Sequence, residues 1–233
     1  MNGIAIIGPT TSGKTEIAYE VARRLNGEVI NFDLTQTYKY FEISSGASDA
    51  HKENDVIKHL YCFLNPDENP LTPKQYVIKV IQTAKQILSR GKIPIIEGGA
   101  VKYFKSLFEE NKKIMLFNPI FCVHREIDTV LKHAILKRVN AMIDEGLFLE
   151  IKRNLAKGYQ NTKFMKESKV IVPAIAYLEG RISLSDMKKE IVYGTLELKK
   201  YQEQAFSRYP GLIRVVNKGI SGSVKEIAER VKC

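Results

Sequence analysis

Residues 8–15 read Gly8-Pro9-Thr10-Thr11-Ser12-Gly13-Lys14-Thr15, the pattern G-x-x-x-x-G-K-[ST]. Before it, Ile4–Ile7 is a short apolar run; after it, Lys14–Leu25 carries Ile17, Ala18, Val21 and Leu25 at helical spacing. A strand that stops at a glycine, a tight loop and a helix leave few ways to fold. Glycines let successive backbone N–H groups converge on phosphate oxygens, and the helix adds its positive end. Lys14 supplies a point charge to a phosphate, and Thr15 a hydroxyl suited to Mg²⁺, the expected cofactor. Residues 8–15 are therefore expected to cradle a diphosphate or triphosphate. The rest of the ligand has to be read elsewhere.

The same alternation continues along the chain. Gly27 is expected to close the first helix, and Val29–Phe32 reads as a second buried strand. Thr72 is the expected N-cap of a helix carrying Tyr76, Val77, Val80, Ile81, Ala84 and Leu88 and ending near Gly91. Ile93–Ile96 is a third strand, stopped by Gly98-Gly99, with a helix over Val101–Glu109. Ile120–Val123 and Leu212–Val216 read as later strands. Between them the chain turns helical, over Asp128–Glu145, Phe148–Lys157 and Ser185 to about Ser207. Strands alternating with helices imply a parallel sheet with right-handed crossovers. The expected fold class is α/β: a P-loop NTPase-like parallel sheet flanked by helices, with a helical C-terminal portion. A length of 233 residues with 44% apolar content suits a single P-loop domain over 1–233, its helical part at about 126–208 packed on the core. Ser44–Asp55 is polar and is expected to be an exposed, mobile loop.

Composition narrows the setting. Cys62, Cys122 and Cys233 are odd in number and scattered, which fits neither a disulfide framework nor a cysteine zinc site. His51, His59, His124 and His133 show no metal spacing. The opening MNGIAIIGPTTSGKT has no basic n-region and leads straight into a strand, unlike a signal peptide. No apolar run approaches the roughly 20 residues of a membrane span. The expectation is a cytoplasmic monomer with no membrane partner. A net charge of +10 fits either a lysine-rich solvated surface or an anionic partner.

The second strand ends in Asp33-Leu34-Thr35-Gln36-Thr37-Tyr38-Lys39. In a doubly wound sheet, ligands bind beyond the carboxyl ends of the strands. Asp33 is thus expected beside the phosphate loop, as a base or metal-binding carboxylate, or else as a helix N-cap. Gln36 offers a donor and an acceptor on one amide, which suits an adenine edge.

These residues resemble those of the tRNA dimethylallyltransferases, relatives of the adenylate isopentenyltransferases of cytokinin synthesis. The family's GPT-x-SGK-[ST] loop is matched by Gly8–Thr15, and its D-S-x-Q-x-Y-[RK] segment by Asp33, Gln36, Tyr38 and Lys39. Pro94–Tyr103 resembles P-I-[LI]-x-G-G-T-G-x-Y. Arg138–Leu147 resembles R-V-D-x-M-[LI]-x-x-G-L, and Tyr177-Leu178-Glu179-Gly180 resembles Y-L-x-G. The resemblance implies transfer of a dimethylallyl group from dimethylallyl diphosphate to N6 of adenine. tRNA is the expected acceptor, and a free adenine nucleotide (AMP, ADP or ATP) the alternative. It implies Asp33 as general base, Leu34, Thr35 and Gln36 with Asp33 around the acceptor, and Tyr38, Lys200 and Gln202 in supporting roles.

The chain also departs from the pattern. The family's threonine after the glycine pair is Ala100, and its serine after the aspartate is Leu34, with Thr35 next in line. Its late R-x-x-A-K-R-Q-x-x-W stretch aligns with Leu196–Ala205, where both arginines and the tryptophan are absent while Lys200 and Gln202 survive. Its A-I-G-Y-[KR]-E-L segment is barely recognisable at Ser168–Ala174, where Pro173 intrudes. The family's tRNA-clasping helical insertion is missing, since Glu110 leads to the strand expected at Ile120 through Asn111–Pro119 alone. Two other readings stay open: a P-loop small-molecule kinase using ATP, and a homologue that binds RNA or nucleotide without turnover.

Overall fold

The computed structural model describes residues 2–47, 55–127 and 129–231. The expected helix start at Asp128, and His51 and Cys233, lie outside the described residues. Strand β1 (Gly3–Ile7) leads through the glycine-rich loop into helix α1 (Lys14–Leu25) and strand β2 (Gly27–Asn31). Asn26, not Gly27, closes α1, in the left-handed conformation that asparagine tolerates (φ 53°). Short helix α2 (Glu42–Ser45) and edge strand β3 (Lys58–His59) follow, then α3 (Pro73–Ser89) and β4 (Ile93–Gly98). Thr72 caps α3 as expected: its hydroxyl accepts from Gln75 N (3.3 Å), and the Gln75 side chain accepts from Thr72 N (2.9 Å).

Helix α4 (Val101–Ile114) is a turn longer than expected, and β5 (Phe117–His124) starts earlier. The connection is therefore only Met115 and Leu116. Helices α5 (Thr129–Asp144), α6 (Leu147–Ala156), α7 (Lys163–Glu167), α8 (Ile171–Leu178) and α9 (Leu184–Phe206) form the helical portion. Pro173 sits in the first turn of α8, where a missing N–H costs no helical bond. Strand β6 (Ile213–Val216) and helix α10 (Ile220–Val231) complete the chain; α10 is absent from the sequence reading.

All strand pairs are parallel, in the order β3-β2-β4-β1-β5-β6, so β1 is flanked by β4 and β5. The central strands are buried on both faces, as near-continuous Ile/Val runs require. Alternate residues feed two cores. Ile4, Ile6, Val29, Ile95 and Val123 pack under α1 and α10, while Ala5, Ile7, Ile30, Ile96 and Cys122 pack under α3 and α4. A third core lies among the helices, where Phe41, Val139, Leu147, Ile151, Phe164 and Met187 meet. Helix α9 belongs to two of them, giving Ile191 to the helical core and Phe206 to the sheet. Among the described residues, no helix is long and apolar enough to cross a membrane.

The expected loop at Ser44–Asp55 is corrected at its start; residues 48–54 lie outside the described residues. Ser44 is buried in α2, because the Glu150 carboxylate of α6 accepts from Ile43 N (2.7 Å) and Ser44 N (2.9 Å). Those are helix-terminal donors, and a carboxylate there is favoured by charge as well.

Gly98 shows how little slack the sheet leaves beside the phosphate loop. A Cβ there would lie 2.1 Å from both C and O of Phe32, a backbone contact that cannot swing away. Gly98→Ala is expected to cost about 1–3 kcal/mol by overpacking, which lowers Tm by roughly 3–10 °C in a chain of this size. A thermal melt checks it, and an unchanged Tm would show that β2 and β4 part freely at that point.

Candidate active site

The loop between β1 and α1 takes its shape from contacts that exclude larger side chains. A Cβ on Gly8 would lie 2.3 Å from Val123 O. One on Gly13 would lie 2.3 Å from Asn217 Nδ2, at a backbone φ of 82° that glycine adopts without strain. Thr11 is itself left-handed (φ 62°), local strain of the kind that clusters at ligand sites. Two long-range side chains hold the loop. Gln202 of α9 accepts from Thr10 N (2.7 Å) and donates to Gly99 O (2.9 Å), linking the loop to the end of β4. Asn217, just after β6, donates to Ser12 O (2.7 Å), and its own N–H donates to His124 O (2.7 Å). The family pattern had marked Gln202. Nothing had marked Asn217, although its place at a strand's carboxyl end is a signal.

Lys14 and Thr15 point at one carboxylate. Glu97, at the end of β4 and 1% exposed, accepts from Thr15 Oγ1 (2.7 Å) and lies 3.9 Å from Lys14 Nζ. Its other oxygen accepts from Tyr61 OH (3.2 Å). Burial raises the Glu97 carboxyl above its ordinary pKa, with Lys14 and the Thr15 hydroxyl pulling the other way. Because Thr15 donates its proton to Glu97, the hydroxyl oxygen's lone pairs remain for a cation. Oxygen donors of this type fit Mg²⁺.

Asp33 follows β2 and is set by Asn31. Asn31 Oδ1 accepts from Asp33 N (2.8 Å), while Asn31 Nδ2 donates to Asp33 O (3.0 Å) and Leu60 O (2.9 Å). Asp33 Oδ1 accepts from Thr35 N (3.0 Å) and Thr35 Oγ1 (2.7 Å). Asp33 Oδ1 thus closes an Asx turn onto Thr35 at the start of the 3₁₀ turn Thr35–Thr37. Thr35 gives Asp33 the hydroxyl that Leu34 lacks.

A cleft of about 600 Å³ runs from Thr10 and Thr11 to the end of β2, with Lys14, Thr15 and Glu97 outside its lining. The phosphate loop contributes Thr10 and Thr11, and the end of β2 contributes Asp33, Leu34 and Thr35. Much of the wall is apolar: Leu71, Ala100, Val101, Val139, Met142, Phe164 and Leu198. Arg138, Lys163 and Lys169 bring positive charge to it, and Tyr38 joins the wall stacked on Phe164 (5.9 Å between centroids).

Of the phosphate loop only Thr10 and Thr11 line this cleft, and Gln36 and Lys200 are turned away from it. Gln36 is 9% exposed and does not line the cleft; its Oε1 is buried without a partner among the described residues. Lys200 faces solvent and pairs with Glu197 (3.0 Å). The buried lysine of α9 is Lys199, which pairs with Glu203.

Comparison with known proteins adds to this geometry. A family model described as isopentenyl transferase matches residues 1–176. The chain belongs to the isopentenyl transferase family. Among curated relatives, a tRNA dimethylallyltransferase of Corynebacterium jeikeium is 41% identical over 107 residues, 46% of this chain and 34% of the relative. One from Macrococcus caseolyticus is 28% identical over 186 residues, 80% of this chain and 56% of the relative. This isopentenyl transferase family member thus spans from a third to just over half the length of the curated relatives it matches. A solved tRNA delta(2)-isopentenylpyrophosphate transferase from Staphylococcus epidermidis superposes with a TM-score of 0.84 at 19% identity, covering 98% of each chain. A eukaryotic dimethylallyltransferase that acts on tRNA superposes at 0.72 with 15% identity, over 99% of this chain and 78% of that one. At those identities the superpositions show a shared fold.

Proposed function

We propose that this isopentenyl transferase family member transfers a dimethylallyl group from dimethylallyl diphosphate to N6 of adenine in tRNA. One observation carries the reading: a single cleft is lined by Thr10 and Thr11 of the phosphate loop, by Asp33 and by a largely apolar wall. An allylic diphosphate has matching parts, a charged leaving group and a small hydrocarbon. Adenine N6 is a weak nucleophile, its lone pair delocalised into the ring, so an electrophile that ionises readily is required. In the step, the bond from the allylic carbon to the diphosphate oxygen breaks and a carbon–N6 bond forms. Asp33 accepts the N6 proton. The loop N–H groups and Lys14 hold the departing diphosphate.

Thr15, backed by Glu97, is the residue that would hold Mg²⁺. A bound divalent cation would supply charge neutralisation at the diphosphate. Adenine has to leave its stack to be reached, as in other base-modifying enzymes. Arg138, Lys163 and Lys169 give the cleft a charge suited to a nucleic-acid phosphate. The names of the curated relatives support tRNA as the acceptor. The two-residue connection between α4 and β5 leaves no room there for a clasping subdomain, which keeps free adenine nucleotide as the alternative.

The test is label transfer from radioactive dimethylallyl diphosphate with Mg²⁺, with unmodified tRNA and AMP as parallel acceptors. Label on tRNA is the expected outcome. Label on AMP alone moves the acceptor to free nucleotide. No transfer to either, from protein that still binds diphosphate, overturns the proposed reaction.

A further inference from the structure

Beyond backing Thr15, Glu97 takes no part in the loop-and-aspartate chemistry. It occupies the free position of the P-I-I-x-G-G segment, pairs in register with Ile6 of β1, and so stands directly beside the phosphate loop. Its side chain is 2% exposed, yet its partners are the two loop residues that act on phosphate and metal, Lys14 and Thr15. Tyr61 fixes the second oxygen, and Tyr61 OH lies 3.3 Å from Tyr19 OH on α1. The carboxylate is held from both sides in one orientation.

This arrangement has a consequence for binding. A lysine facing an anionic ligand is useful in proportion to its unmatched charge, and here Glu97 already pairs with Lys14. A diphosphate approaching without a cation meets a loop whose one strong charge is neutralised. A divalent cation bound with it restores an excess of positive charge. Thr15 is prepared for that cation, because donating to Glu97 turns the hydroxyl's lone pairs outward. P-loop nucleotide enzymes use an acidic residue on a neighbouring strand to the same end.

Building on the diphosphate reading above, we propose that Glu97 is a positioning residue that makes diphosphate binding by this chain depend on a divalent cation. It acts through Thr15 and Lys14 and does not touch the reacting atoms.

The experiment measures inorganic diphosphate binding by calorimetry, with Mg²⁺ and with a chelator, on wild type, Glu97→Gln and Glu97→Asp. Wild type is expected to bind about tenfold or more tighter with Mg²⁺. In Glu97→Gln, which removes the charge and keeps the size, that ratio shrinks to about two- or threefold because metal-free binding strengthens. Glu97→Asp keeps the charge but withdraws it from Thr15 by one methylene, and its ratio falls between the two. A merely structural Glu97 would weaken binding with and without metal alike, leaving the ratio at its wild-type value; that result overturns the proposal. If Glu97→Gln does not fold, Glu97→Asp decides alone, and a wild-type ratio there overturns it. Wild type that binds no diphosphate under either condition overturns the phosphate-loop reading itself, and the role of Glu97 with it.

Discussion

Lys14→Ala is expected to weaken inorganic diphosphate binding in the presence of Mg²⁺ on the order of 10²–10³-fold. The lysine is buried at the head of α1, so its charge acts through little screening solvent. One charge pair at about 4 Å and an effective dielectric near 20 is worth about 4 kcal/mol. Part of that is lost already to Glu97, 3.9 Å away, which keeps the effect near the lower end. The substitution also strands Glu97 in the interior without its lysine, and an unpaired buried charge is costly. Tm is therefore expected to fall as well, and binding has to be read below the melting temperature of the variant. Calorimetry that finds wild-type affinity in folded Lys14→Ala would end the assignment of residues 8–15 as the diphosphate cradle.

The residues whose roles follow from local chemistry were readable in the sequence. The strand–loop–helix around Gly8–Thr15, the Thr72 cap and the buried strands at Val29 and Ile93 depend on neighbours a few positions away. The helical portion at about 126–208 was legible from its apolar spacing, whereas α10 was not read, although Ile220, Val224, Ile227 and Val231 carry the same signal. Their burial against α1 depends on a partner at the other end of the chain. Strand ends were less clear: β5 begins at Phe117 because Asn111, held in α4, donates to Phe117 O and accepts from Phe117 N (2.8 Å each).

The site was legible as a set of motifs and not as a set of directions. Lys200 was read from the motif position, but the helical phase of α9 decides which lysine turns inward. Gln202, Phe206 and Lys199 share the buried stripe, three and four residues apart, while Lys200 falls on the opposite face. Gln36 was read as a cleft residue from its donor–acceptor amide. The turn after Asp33 instead ties the Gln36 backbone to the Leu60–Phe63 segment, where the backbone carbonyl of Gln36 accepts from Cys62 N (2.9 Å). Glu97, Asn31 and Asn217 were missed because each acts across strands. A register such as Ile6 opposite Glu97 exists only once the sheet has formed.

Asp33 is where the two readings of one residue can be separated. Its Oδ1 is engaged by the Thr35 backbone and hydroxyl, so Asp33→Ala removes the cap together with the proposed base. Asp33→Asn keeps an oxygen for the cap and removes only the basicity. If Asp33 accepts the N6 proton, both variants lose turnover, by about 10²–10⁴-fold, the usual worth of a positioned base. Diphosphate affinity should stay within about twofold in both, because the loop and Lys14 do that work. If Asp33 serves only as a cap, Asp33→Asn turns over like wild type and Asp33→Ala alone fails, with a lower Tm from loss of about 1 kcal/mol. Single-turnover label transfer at saturating dimethylallyl diphosphate reads the difference directly. Wild-type turnover in Asp33→Asn would assign the proton to another acceptor and leave Asp33 a structural residue at the mouth of the cleft.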